Sequence, residues 1–209
     1  MNRIIRFVAA ACSVAPAWAF ATTLTAQKVW ETEAQFRNPE SVVYDEVRNI
    51  LYVSNVDGDG LNKDGQGFIS QLTPEGQIVN LEWVRGLNAP KGMALVNDRL
   101  YVADIDELVE IDVNTGTVSH YYPVSGAQFL NDVTADSVGT VYVSDMFTNR
   151  IHRLYHGVLE TWMTGSNLQS PNGLLANDGK IYVGTWGARR TGFDTDLLGH
   201  IKVISAADR

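Results

Sequence analysis

The chain has 209 residues, 45% of them hydrophobic, with 24 acidic against 16 basic residues and a formal charge of −8. That length can bury one sizeable core. The acidic balance argues against nucleic acid or an anionic membrane as the main partner, since both select basic surfaces. A single cysteine, Cys12, excludes a disulfide within the chain.

The first element is a targeting segment. Met1-Asn2-Arg3-Ile4-Ile5-Arg6 is basic, residues 7–19 are largely apolar, and Ala17-Trp18-Ala19 and Ala19-Phe20-Ala21 each offer a small-x-small cleavage site. This order predicts a signal peptide over 1–21, cut after Ala19 or Ala21, and a single mature domain over 22–209. The protein is therefore expected to be exported, to the periplasm or beyond. The apolar run is shorter than the roughly 20 residues that span a bilayer, and Cys12 would leave with the signal.

Behind it one phrase recurs four times: Leu51-Tyr52-Val53-Ser54-Asn55, Leu100-Tyr101-Val102-Ala103-Asp104, Val141-Tyr142-Val143-Ser144-Asp145 and Ile181-Tyr182-Val183-Gly184-Thr185. The tyrosines are 49, 41 and 40 residues apart, a period that fits β-propeller blades of about 40–50 residues. Alternating apolar residues with Gly, Asp and Asn at the joins predict four strands per blade. The first blade takes strands at 41–44, 49–53, 67–72 and 78–84, with Thr73-Pro74-Glu75-Gly76 as a turn. The second takes 92–95, 99–102, 107–111 and 117–122, and the third 132–135, 140–143, 150–154 and 158–162. The fourth has 173–176, 180–183 and, after a longer loop, 200–204, with no outer strand before Arg209. An unpaired outer edge is normally paired, covered or charged. Either residues 22–30 cross over to complete the fourth blade, or the chain is part of a longer propeller. The second is the expectation.

A propeller places equivalent residues of successive blades around one channel. A short polar signature opens each inner strand: Pro39-Glu40-Ser41, Pro90-Lys91-Gly92, Leu130-Asn131-Asp132 and Pro171-Asn172-Gly173. Glu40, Lys91, Asn131 and Asn172 are thus equivalent and expected at the channel mouth. One carboxylate and two carboxamides make an all-oxygen set suited to a hard cation. Asn-Asp, Asn-Gly and Pro-x-Gly are equally good turns into a strand, and spacing does not choose between the two.

A resemblance does. Residues 40–53 resemble the opening blade of the SMP-30/gluconolactonase/LRE-like family, Phe129-Leu130-Asn131-Asp132 is similar to that family's Asn-Asp segment, and Ser170-Pro171-Asn172-Gly173-Leu174 to its Asn-Gly segment, in family order. The resemblance implies a six-bladed ring and metal-dependent hydrolysis of a lactone or ester. Glu40 and Asn172 would be ligands to a divalent metal, Ca²⁺ foremost with Zn²⁺, Mn²⁺ or Mg²⁺ as alternatives, and Asn131 would hold substrate or water. In the family the metal polarises a carbonyl and acidifies water, and a further Asp about one blade on completes the metal shell and serves as base. Its counterpart would lie beyond Arg209, so no catalytic residue is assigned and turnover is not expected from this chain alone. Lys91 is a departure from the oxygen set: it would orient an anionic substrate, pair with Glu40 in place of the metal, or face solvent. The rival reading is a non-catalytic propeller that binds a small ligand or a protein at its channel face.

Other signals carry less. Asp57-Gly58-Asp59-Gly60-Leu61-Asn62-Lys63-Asp64-Gly65 lacks the carboxylates an EF-hand needs and reads as a solvated loop beside the channel. His120, His152, His156 and His200 have no metal-ligand spacing, and no G-x-S-x-G elbow is present. Trp83 and Trp162 are expected to pack between blades, and Trp186 to wall the pocket.

Overall fold

A computed structural model describes residues 26–206; the expected signal peptide, Cys12 and residues 22–25 lie outside the described residues. The regular structure of the described chain is antiparallel sheet, apart from one short 3-10 turn at Ser166–Leu168. Blade one is β1 (Pro39–Asp45), β2 (Ile50–Asn55), β3 (Gly67–Leu72) and β4 (Ile78–Leu87), paired in that order. Blade two is β5 (Pro90–Val96), β6 (Arg99–Asp104), β7 (Glu107–Asp112) and β8 (Thr117–Pro123). Blade three is β9 (Leu130–Ala135), β10 (Val141–Asp145), β11 (Arg150–Tyr155) and β12 (Val158–Thr164). Blade four has β13 (Pro171–Asn177), β14 (Lys180–Thr185) and, as its third strand, β17 (Ile201–Ser205); between them a small hairpin pairs β15 (Arg189–Thr191) with β16 (Asp194–Thr195). The β-propeller expectation holds, and among the described residues the fourth blade has three strands.

The inner strands stand side by side, β1 next to β5, β5 next to β9 and β9 next to β13. Three apolar clusters fill the spaces between blades. Tyr52, Ile69 and Leu87 of blade one meet Leu100, Val109 and Ile111 of blade two. Ala103 and Leu108 of blade two meet Leu130, Val133 and Val143 of blade three. Tyr142 and Ile151 of blade three meet Leu174, Ile181 and Val183 of blade four. The repeated tyrosine faces the next blade because its neighbours on either side alternate away from it. Trp83 lies 5.0 Å from Tyr52, and Trp162 5.0 Å from Tyr142, so both tryptophans pack at blade junctions as expected. A Cβ on Gly116, in the blade-two hairpin that receives Trp83, would come within 2.7 Å of the indole nitrogen.

The last residue of the repeated phrase has a structural task. Asn55, Asp104 and Asp145 are fully buried and accept backbone N–H groups from the loop that feeds their own blade's inner strand. Asn55 Oδ1 takes Arg37 N at 3.1 Å, Asp104 takes Asn88 N at 2.8 Å and Ala89 N at 2.6 Å, and Asp145 takes Phe129 N at 3.1 Å. A carboxylate or carboxamide is needed because these loop donors have no ladder partner.

Residues 26–30 form no strand, which removes the cross-over alternative for that part of the chain. Trp30 instead donates its indole N–H to Pro74 O at 2.9 Å and lies against Gly76, where a Cβ would come within 2.6 Å of the ring. The segment is thus anchored on the outer hairpin of blade one rather than on blade four.

Candidate functional site

In all four blades the inner strand carries one extra residue at the same place. Pro39 pairs with Asn55 and Val42 with Val53; Pro90 with Asp104 and Met93 with Val102. Leu130 pairs with Asp145 and Val133 with Val143; Pro171 with Thr185 and Leu174 with Val183. Each step spans two residues on the inner strand against one on its partner, a β-bulge, which re-aims side chains. The first bulged residue is Glu40, Lys91, Asn131 or Asn172. The four positions matched by sequence spacing are therefore structurally equivalent. The residue opposite each bulge is small, and where it is serine it satisfies the displaced donor: Ser54 Oγ accepts Ser41 N and Ser144 Oγ accepts Asp132 N, both at 3.0 Å.

The second bulged residue of blade three, Asp132, was not singled out from sequence. Its carboxylate accepts Val133 N at 2.9 Å and, across the blade junction, Leu174 N at 2.7 Å. A Cβ on Gly92 would lie 2.3 Å from Asp132 Oδ1, so β5 and β9 can approach only with glycine there. Burial raises the Asp132 pKa, against the lowering by its two backbone donors. Asp132 thereby ties the bulge bearing Asn131 to the strand bearing Asn172. The Asn-Asp and Asn-Gly pairs of the sequence carried this signal.

Glu40 is open to solvent at the mouth, yet its pKa is raised, first by desolvation and then by the charge of Asp132, with Lys91 opposing. Two carboxylates therefore face each other electrostatically with incomplete compensation. Lys91 compensates only in part. Its residue is 3% exposed, and its ammonium donates to Ala89 O at 2.8 Å and Gly60 O at 3.1 Å, above the Phe129 ring at 4.6 Å. Burial lowers its pKa to about 8, against the raising influence of Asp104, Glu40 and Asp59. This overturns the solvent-facing alternative for Lys91, and a direct Glu40–Lys91 ion pair is not formed. The Asp57-to-Gly65 loop provides part of the cover: Gly60 closes over Lys91, and Lys63 pairs with Asp106 at 2.5 Å to hold the loop on blade two.

The two asparagines complete the picture. Asn131 is 9% exposed; its carboxamide has no hydrogen-bond partner among the described residues and is not one of the fully buried unpaired groups, so that small exposure is where it meets the channel. Asn172 points its Nδ2 at Met146 Sδ, 3.6 Å away, leaving its Oδ1 as the end without a protein partner. Among the described residues no group of three His, Cys, Asp or Glu side chains forms a metal cluster. An oxygen set here would rest on one carboxylate and carboxamides, which is donor chemistry for a hard cation rather than a thiolate or imidazole site. The residues present fit that role.

No protein-family model matches the chain, and no curated protein matches its sequence. Solved structures do. It is similar to a chain of the nidogen/laminin complex, at 16% identity and a TM-score of 0.62, over 82% of this chain and 62% of that one. Luciferin-regenerating enzyme aligns at 17% and 0.61, over 81% and 62%. Virginiamycin B lyase from Staphylococcus aureus aligns at 16% and 0.53, over 69% and 47%. The chain thus spans under two thirds of the length of each. At these identities the likenesses show the propeller scaffold, which hosts many functions.

Proposed function

We propose that the channel mouth is a divalent-cation site and that the protein, in its complete form, is an exported hydrolase of a lactone or ester. The observation that carries this is the set of equivalent bulges that present Glu40, Asn131 and Asn172, with the Asn131 carboxamide, on a residue 9% exposed, unpartnered among the described residues. The resemblance of these three segments to the SMP-30/gluconolactonase/LRE-like family, and the scaffold shared with two enzymes, support it.

Glu40 and Asn172 would hold the cation, Ca²⁺ foremost, and Asn131 would orient substrate or water. A divalent cation there would polarise the substrate carbonyl and stabilise the negative charge that develops on its oxygen. The chain's own groups set the stage. Asp132 ties the bulge bearing Asn131 to the strand bearing Asn172 through the Leu174 bond, which fixes the spacing of the two backbones. Glu40 and Asp132 make the mouth acidic, and cation binding would offset the desolvation and, after it, the Asp132 repulsion that raise the Glu40 pKa. The Gly60 loop and Phe129 shield the Lys91 side from water, which strengthens electrostatics at the site.

Calorimetric titration with Ca²⁺, Mn²⁺ and Zn²⁺ tests this. One cation should bind the chain at a single site, Glu40→Gln should weaken it at least tenfold, and an Asp132→Asn variant should weaken it less. Absence of binding to the folded chain would remove the metal site and leave the non-catalytic propeller as the function.

A further inference from the structure

Four aromatic rings from three loops converge at the mouth beyond Asn131. Phe129 precedes β9, Phe147 follows β10, Trp186 follows β14, and Phe193 is at the tip of the β15–β16 hairpin. Phe129 and Phe147 stack with centroids 4.6 Å apart and planes 15° from parallel. Phe193 meets their edges at 5.6 and 5.4 Å. Trp186 lies 6.1 Å from Phe193 and donates its indole N–H to Phe193 O at 2.9 Å. The cluster is continuous with the bulge ring through Phe129, which lies under Lys91. Its outer members remain half open: Phe193 is 52% and Trp186 45% exposed. An aromatic surface of this kind beside a polar channel is the usual composition of a small-molecule site.

One cation belongs to this wall. The Arg189 guanidinium lies 4.0 Å over the Phe147 ring and donates to Phe147 O at 2.8 Å and Gly192 O at 3.0 Å. These bonds fix its plane. Among the described residues no carboxylate pairs with it, whereas its neighbour Arg190 pairs with Asp196 at 3.3 Å. Arginine has five N–H donors in a planar fork, and two backbone bonds leave three of them. A positioned, half-buried guanidinium without a counter-ion is a carboxylate receptor.

We propose that this wall selects the ligand of the channel site: a molecule with an apolar or aromatic ring, laid on Phe193 and Trp186, and a carboxylate taken by Arg189. The proposal rests on the channel mouth being the ligand site and narrows the ester or lactone class to anionic, ring-bearing members. The ring supplies contact area, the guanidinium supplies the preference for the anion, and the reacting carbonyl would extend toward Asn131. Glu40 on blade one and Asp132 beside Asn131 disfavour an anion placed deeper, which leaves Arg189 as its seat.

The test uses 3-phenylpropionate, its neutral methyl ester and acetate as probes, with tryptophan fluorescence as the readout and Trp186→Phe as the control that assigns the signal. Titrations are run with and without Ca²⁺. The acid should saturate the signal and bind at least tenfold tighter than the ester, the ratio expected of a charge-assisted bond, and acetate should bind far more weakly than either. Arg189→Gln should bring the acid to the ester's level, and Phe193→Ala should weaken acid and ester together. Thermal midpoints of the variants confirm that they are folded. An unchanged acid-to-ester ratio in Arg189→Gln, or no saturable signal from the folded chain, overturns the proposal. Failure of the metal site reads out separately: phenylpropionate binding with the expected ratio, alongside no cation binding in calorimetry, would keep the wall and discard the hydrolase.

Discussion

Ile69, Leu108, Ile151 and Ile201 occupy one register of the four blades, each paired with the small residue that follows the repeated valine. The first three are fully buried against the following blade, whereas Ile201 is 76% exposed. The same contrast appears on the opposite face. Met93, Val133 and Leu174 are buried against the preceding blade, and their blade-one equivalent, Val42, is exposed. Burial here is a property of the junction rather than of the strand. The repeat places apolar residues on both faces of every blade, and only where two faces meet does that pattern become a core. The closed junctions are therefore where stability resides, and the two open faces carry the same residues without the return.

The sharpest way to break this contrast is to cut a closed junction. Leu108→Ala removes a fully buried side chain from the cluster joining blades two and three. It should cost about 2–5 kcal/mol, the range for a buried leucine whose cavity cannot collapse, read as a shift in the urea midpoint at unchanged slope. A loss below about 1 kcal/mol would mean that the junction repacks and that the blades are less interdependent than their shared clusters indicate.

That junction was legible in the sequence because it depends on alternation and period. The tyrosine spacing located the blades, and the positions of Trp83 and Trp162 on outer strands marked them as packing residues. The bulge ring was legible too, as a common offset from the tyrosine in Glu40, Lys91, Asn131 and Asn172. What could not be read is whatever depends on the direction of a side chain after an irregular backbone. The alternatives for Lys91 were an anion contact, an ion pair or solvent, and the structure turns it onto two carbonyl oxygens under a loop. Asp132 passed as a turn residue because its role is a bond across the junction to Leu174, 42 residues away. Arg189 and Phe193 lie in the long loop of blade four, where no periodicity guides the eye and only the tertiary fold brings them to Phe147.

The closed junction between blades two and three also holds a titratable group, which gives a second test. His152 is 1% exposed; its Nδ1 lies 3.2 Å from Thr161 Oγ1, and its Nε2 has no partner. Its pKa is lowered from 6.5 by burial, with Asp145 opposing and Arg150 reinforcing. Glu160, next to Thr161, is engaged by Arg153. Because the folded state holds this imidazole neutral, both states are uncharged above pH 6.5 and it exerts no pH effect there. Below 6.5 the unfolded chain binds the proton first, so stability falls as pH drops. His152→Leu should flatten the slope of the thermal midpoint between pH 7 and 5 while other acidic transitions remain. An identical slope in wild type and variant would show that the proton enters the junction without penalty.

The smallest effect on stability is expected at the open face, and it completes the comparison with Leu108. In Ile201→Ser the lost side chain is already three-quarters in water, so little transfer free energy is at stake, and the strand pairing of β17 with β14 is a backbone ladder that the substitution leaves in place. The urea midpoint should correspond to a change within about 0.5 kcal/mol. Its consequence should appear elsewhere. Ile201 and Val203 alternate onto the same side of an outer strand whose far edge has no partner among the described residues, the combination that templates association between chains. Ile201→Ser should therefore lower concentration-dependent light scattering without altering unfolding, the inverse of what Leu108→Ala does. If Ile201→Ser instead destabilised the monomer as Leu108→Ala does, the face would be covered in solution, and the distinction between closed junctions and open faces would fail at blade four.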